Sequence, residues 1–213
     1  MNDETSRNPR WEFDKNRSRV WSTLWRYYFK KLIAPDACVL DMGCGQGDFI
    51  NSVEARRRIA LDAWPGFPRH IAPGIETHVG SVTDLSFVAD HSVDFAFASN
   101  LFEHISQADF ASVLDQLKSK LTDRGTLTIL QPNYKYAYRE YFDDYTHITI
   151  YSDLSLADFL TAHGFEVIGV EPRFLPLSLK SRLPTWPILI RSYLASPWHP
   201  MGKQMLLRAR VNR

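Results

Sequence analysis

The residues of this chain best suited to chemistry lie in Val39-Leu40-Asp41-Met42-Gly43-Cys44-Gly45-Gln46-Gly47-Asp48-Phe49-Ile50. The short apolar run led by Val39 predicts a buried strand, and the apolar residues after Gly47 predict a helix. Glycine has no Cβ, so the backbone between them can turn sharply and a ligand can approach it closely. The unpaired N–H groups at the start of the expected helix would favour a negative group. Asp41, two residues before the first glycine, instead suits a positive group such as an ammonium or sulfonium, and would repel a pyrophosphate. The dinucleotide fingerprint G-x-G-x-x-G also fails, because Asp48 stands where its third glycine belongs.

The pattern that does stand here, D-x-G-x-G-x-G, resembles motif I of the class I S-adenosylmethionine (SAM) dependent methyltransferases. The resemblance covers roughly residues 37–171 and implies a three-layer Rossmann-like α/β fold, with a mainly parallel seven-stranded sheet and an antiparallel last strand. It also implies SAM as cofactor. Gly43, Gly45 and neighbouring amides would hold the methionine part, with Asp41 facing its ammonium. Asp62 ends the second predicted strand, Arg57–Leu61, about 20 residues after the first glycine, where a carboxylate can take both ribose hydroxyls. Ala63 and Trp64 follow it, and the indole could lie near the adenine. After a third strand, Ile75–Val79, the family usually carries Gly-Asp-Ala-x-x-Leu. This chain has Gly80-Ser81-Val82-Thr83-Asp84-Leu85, so the adenine contact falls to Ser81 with the next amide, Val82, or to Asp84.

The fourth strand, Ser92–Ser99, leads into Asn100-Leu101-Phe102-Glu103-His104-Ile105, which resembles the family segment that ends beside the transferable methyl. Some quinone-biosynthesis and small-RNA O-methyltransferases carry Glu-x-x-Glu-His here and bind a divalent ion. In this chain Asn100 replaces one charged ligand, and no metal is expected, although His147 could supply another ligand. His104 is expected to anchor structure. His147, in Asp144-Tyr145-Thr146-His147, is the candidate general base, because histidine titrates near working pH and a nearby carboxylate could orient it.

The remaining elements position these groups. Apolar residues from Asn16 to Ile33 (Val20, Trp21, Leu24, Tyr27, Tyr28, Leu32 and the stem of Lys31) predict a covering helix that Pro35 ends. Residues 110, 113, 114, 117 and 121 predict an amphipathic helix over Gln107–Leu121. The turn Asp123-Arg124-Gly125 then leads to strand five, Thr126–Leu130. Residues 134–151 hold six of the nine tyrosines, and a loop of this length after a sheet strand is usually functional. A helix over Ser152–His163 stops at Gly164, followed by strand six, Phe165–Val170, and strand seven, Gln204–Val211.

Residues 133–151 and 172–203 would cap an acceptor site, where open α/β sheets bind ligands. Tyrosines flanked by carboxylates suit a sugar, with a phenol or quinone precursor as the alternative. The stretch Arg173-Phe174-Leu175-Pro176 through Lys180-Ser181-Arg182-Leu183-Pro184 resembles small methyltransferases of bacterial surface-glycan synthesis. A non-catalytic SAM-binding partner subunit is the reading from a different class.

The 213 residues suit one domain with a full core, and residues 1–213 are read as one methyltransferase domain. A net charge of +1 does not suggest a nucleic-acid partner. Two cysteines, Cys38 and Cys44, are too few for a disulfide framework, the N-terminus has no apolar leader, and no run could span a bilayer. A cytoplasmic protein is expected, and the first 15 residues are expected to fray. After Glu171 the chain has eight Lys or Arg and no acid. That asymmetry suits peripheral contact with the inner membrane surface or a phosphorylated, lipid-linked acceptor. The methylated atom and the oligomeric state are left open.

Overall fold

The computed structural model describes residues 15–176 and 186–213. The first residues of the chain and the Lys180–Pro184 part of the glycan-type wording lie outside the described residues. The sheet has seven strands: β1 (Cys38–Met42), β2 (Arg57–Asp62), β3 (Glu76–Val79), β4 (Val93–Ser99), β5 (Leu121–Pro132), β6 (Phe165–Pro176) and β7 (Gly202–Val211). Their order is β3-β2-β1-β4-β5-β7-β6. β1 to β5 run parallel, and β7 pairs antiparallel with both β5 and β6.

Period-two alternation divides the core between the two faces of the sheet. Leu40, Met42, Ala96, Ala98, Leu127 and Ile129 belong to one buried cluster. Val39, Ala60, Phe95, Phe97 and Leu130 belong to the other. Among the described residues the α-helices are α1 (Lys15–Tyr27), α2 (Gln107–Lys120), α3 (Tyr134–Ala137), α4 (Asp153–Ala162) and α5 (Pro187–Ala195). α2 covers the first face with Phe110, Val113, Leu114 and Leu117, the residues its periodicity selects, and α4 adds Leu156 and Leu160. Ser152 caps α4 in a reciprocal arrangement with Ser155, and Gly164 follows the helix at φ +84°.

The second face departs from expectation. No helix follows the glycine turn; the chain makes only a single 3₁₀ turn at Ile50–Ser52 before β2 begins at Arg57. Residues 48–56 are too few to form a multi-turn helix and return to the sheet. Phe49 and Ile50 therefore pack directly on the sheet, and α1 lies over them. Trp21 meets Phe49 and Phe97 edge-on at 5.8 and 5.9 Å between ring centroids. Phe29 meets the same two rings at 5.3 and 5.4 Å. α1 also stops at Tyr27, before Pro35, and continues as a 3₁₀ turn at Phe29–Lys31. That break turns Trp25, Phe29 and Ile33 inward, while Tyr27, Tyr28 and Leu32 are only half-buried.

Strand boundaries differ at the far edge. β5 starts at Leu121, because Leu121 pairs with Val93 across a register shift, so Asp123-Arg124-Gly125 lies within the strand. β6 runs on to Pro176 through register shifts against β7. At the end of β5, the buried Asn133 donates to Asp153 Oδ1 at 2.8 Å and to the Pro172 carbonyl at 3.0 Å. Tyr134 N–H donates to the Tyr151 carbonyl at 3.0 Å, which closes the tyrosine-rich loop at its base.

Candidate active site

β1 and β4 are adjacent, and the chain leaves their carboxyl ends in opposite directions, toward β2 on one side and β5 on the other. Such a switch point opens the crevice in which α/β sheets bind ligands. The glycine turn lies on one side of it and Asn100–His104 on the other. They touch: a Cβ on Gly43 would come within 2.9 Å of Leu101 Cδ1.

The turn's own hydrogen bonds define what it can bind. Gly43 and Cys44 N–H both donate to the Leu61 carbonyl at 2.8 and 3.0 Å, and Gly47 N–H donates to the Cys44 carbonyl at 2.8 Å. Gly45 N–H donates to Asp62 Oδ2 at 2.7 Å. Three of these four amides are engaged by the end of β2 and the fourth within the turn, and no helix N-terminus follows it, so these amides form no donor array for a phosphate. Acceptors dominate instead. Asp41 is buried, and its Oδ2 has no hydrogen-bond partner. Burial, with the charge of Asp62 adding to it, pushes the Asp41 carboxyl well above the ordinary carboxylate range, and the Ile50 N–H offsets part of that. Gly45, at φ +55°, has nothing within 4 Å of where a Cβ would stand, which leaves room beside the carboxylates. An orphaned buried carboxylate oxygen and a bare backbone wall fit a cationic, amino-acid-like group.

The other predicted cofactor residues are distributed around this point. Asp62 also accepts from Trp64 N–H at 2.8 Å through Oδ1, so each of its oxygens keeps one lone pair for a hydroxyl. Ala63 is exposed beside it. Trp64 stacks on His70 at 5.3 Å, with the Arg69 guanidinium 5.3 Å from its ring. Ser81 Oγ lies 2.7 Å from Thr83 Oγ1 and accepts from Thr83 N–H at 3.2 Å, and Val82 is buried. Asp84 accepts from Ser86 N–H at 3.0 Å, and hydrogen bonding to Ser86 holds its carboxyl below the usual range. Asn100 adopts φ +49°, and its side-chain oxygen accepts from Gln204 at 2.8 Å, so its carboxamide is tied to β7.

The opposite wall is built by the tyrosine-rich loop. Ile148 and Thr149 N–H donate to the Glu103 carbonyl at 2.8 and 3.1 Å, and Thr149 Oγ1 donates to the Ile105 carbonyl at 2.6 Å. Tyr141, fully buried, donates its hydroxyl to the Thr149 carbonyl. These bonds bring the His104 and His147 rings to 4.8 Å between centroids. Asp144 accepts from Thr146 Oγ1 at 2.6 Å, Thr146 Oγ1 lies 2.9 Å from His104 Nδ1, and the Asp144 charge also acts on His147. His147 Nδ1 lies 2.6 Å from the Tyr141 carbonyl, which fixes Nδ1 as donor and leaves the lone pair on Nε2. Burial lowers the pKa of both histidines, and His147 adds to the effect at His104. Glu103 is fully buried, and burial pushes its carboxyl up to about 8. The sequence marks the Glu103-His104 pair, and His147, offered there as a further ligand, comes to meet it through the return path of the loop.

The methyltransferase domain family matches residues 13–170, most of the chain. This chain belongs to that family. Its cofactor is S-adenosylmethionine, in keeping with a turn that offers acceptors and room. Among related sequences, an uncharacterized protein of Methanocaldococcus jannaschii is 26% identical over 172 residues, 80% of this chain and 72% of that one. Among solved structures, a SAM-dependent methyltransferase of Archaeoglobus fulgidus superposes with a TM-score of 0.65 at 20% identity, over 91% of this chain and 93% of that one. A geranyl diphosphate C-methyltransferase of Streptomyces coelicolor, solved with S-adenosyl-L-homocysteine, gives 0.57 at 12% identity, over 84% and 72%. These likenesses bear out the seven-stranded methyltransferase sheet with its antiparallel β7.

Proposed function

We propose that this methyltransferase acts on a hydroxyl of a small sugar-containing acceptor, held between the glycine turn and the 134–151 loop. One observation carries the reading: His147, far along the chain, is fixed with a free ring nitrogen beside the β4 segment that touches the turn. Asp41 would receive the cofactor's ammonium and Asp62 its ribose, with Ala63, Ser81, Val82 and Asp84 around the adenine and Asn100 at the β4 end. SAM supplies a methyl carbon already activated by its sulfonium, and sulfur leaves with the C–S electron pair as the O–C bond forms. The chain's own task is to align the acceptor oxygen and remove its proton, for which His147 Nε2 carries the lone pair. Tyr138 and Tyr145 expose their rings on the loop, as stacking on a sugar face requires. Incubation with SAM and lipid-linked or soluble sugar fractions should release S-adenosylhomocysteine and methylated sugar. Release only with phenols or quinone precursors would move the acceptor to that class, and no release with any fraction would favour the non-catalytic SAM-binding subunit.

No helix among the described residues is long and apolar enough to cross a membrane. The C-terminal region nevertheless suits peripheral contact, though less through charge than its composition suggests. Lys203 pairs with Glu140 at 2.5 Å and Arg210 with Glu166 at 2.7 Å, and Arg213 pairs with Asp123. Beside these pairs the region displays apolar side chains: Trp186, Ile188, Leu189, Trp198 and Met201 are exposed in and around α5. Indole rings of this kind favour the headgroup level of a bilayer. Co-sedimentation with phosphatidylglycerol-containing vesicles at low salt should therefore fall several-fold in a Trp186→Ser, Trp198→Ser double variant. Equal sedimentation of both proteins would remove the membrane from the reading.

A further inference from the structure

We propose that Glu103, His104 and His147 bind one divalent transition-metal cation of the Zn²⁺ or Mn²⁺ type. One carboxylate oxygen and one nitrogen of each ring all lie within 4.8 Å of one another. Neither oxygen of the fully buried Glu103 has a hydrogen-bond partner, an arrangement that costs stability unless something positive stands there. The surrounding bonds leave that role to an outside cation. Thr146 gives its hydroxyl proton to Asp144 at 2.6 Å, so its oxygen receives the Nδ1–H of His104 at 2.9 Å. His147 gives its Nδ1–H to the Tyr141 carbonyl at 2.6 Å. With Nδ1–H of each imidazole so engaged, Nε2 carries the lone pair of each neutral ring. A ring N–H held by a carbonyl or a carboxylate relay is also how metal-binding histidines are oriented.

Two neutral imidazoles and one carboxylate suit zinc or manganese better than the all-oxygen shells of magnesium and calcium. The expectation of no metal rested on Asn100, and Asn100 is indeed turned toward Gln204. The third ligand comes from the loop instead. Three protein ligands leave positions open for water and for an acceptor hydroxyl, whose proton then leaves to water while its oxygen keeps the electron pair. The inference rests on the proposed acceptor side and deepens the role of His147, whose lone pair would activate the oxygen through the cation.

Titration of the metal-stripped full-length protein with ZnCl₂ and with MnCl₂ should show one cation bound per chain, with MgCl₂ far weaker. CoCl₂ should give a visible absorption band from nitrogen and oxygen ligation. His104→Ala and His147→Ala should each weaken zinc binding by about 100-fold and erase the cobalt band. Their rings are only half-buried, and unchanged melting curves would verify the fold. Absence of any binding event, or variants that bind as the parent does, overturns the cation site. SAM calorimetry on the same samples separates the readings: SAM binding and turnover persisting in EDTA leave the methyltransferase intact with His147 as direct base.

Discussion

His147→Ala should lower kcat by about 10²–10⁴-fold while leaving the SAM dissociation constant within about twofold. The asymmetry follows from position. His147 is held by the Tyr141 carbonyl and stands against His104, on the loop wall of the crevice. The candidate cofactor carboxylates, Asp41 and Asp62, belong to the opposite wall. Burial lowers the His147 pKa below the ordinary 6.5, so the ring is neutral, with its lone pair available, at neutral pH. In EDTA-treated protein, where His147 acts as direct base, kcat/KM should therefore decline toward acid with an inflection below 6.5, and the variant should lack that limb. Single-turnover rates with saturating SAM, measured across pH, check both statements. A variant that turns over within threefold of the parent would remove His147 from proton transfer.

Asp41→Asn should do two opposite things. SAM affinity should fall by about 10–100-fold, the worth of one charge-assisted bond to an ammonium. The ligand-free protein should become more stable. Asp41 is buried with one oxygen unpartnered, and its folded pKa lies well above 3.8 because burial penalises the charge. Between 3.8 and the raised folded value, the folded state binds the proton that the unfolded chain releases, so stability declines as pH rises through that window. At neutral pH and above the penalty is present, and Asn removes it. A gain of about 1 kcal/mol would raise Tm by roughly 2–4 °C for a chain of this size. Differential scanning calorimetry without and with SAM reads both effects. A variant that loses stability and affinity together would make Asp41 a structural residue.

How far the sequence reached can be traced through particular residues. β1, the glycine bend and Asp62 were legible because a β-branched run, three alternating glycines and a strand-ending acid are local signals. The α2 core positions were legible because a one-faced helix repeats them. The expected helix after Gly47 was not, since Phe49, Ile50 and Val53 have helical spacing, yet residues 48–56 leave no length for a helix and its return. The full extent of β5 and β6 was also hidden, because pairing with a neighbour, not composition, carries Leu121 and Pro176 into the sheet. At the site, His147 was chosen for its chemistry, with a nearby carboxylate to orient it. The fold gives Asp144 a hydrogen bond from Thr146 and a charge interaction with both histidines, and gives a backbone carbonyl to His147 Nδ1. Such pairings arise from the return path of a loop, and no periodicity encodes them.

The substitution of α1 for the missing helix bears on how the chain reaches its native state. A helix between β1 and β2 would dock on near neighbours, whereas Trp21 and Phe29 wait for Phe97, far downstream. That long separation raises the contact order and slows the step that seals the second face. On the ribosome the aromatic surface of α1 emerges before the strand it must cover has been made, and it stays open to solvent or a chaperone until β4 arrives.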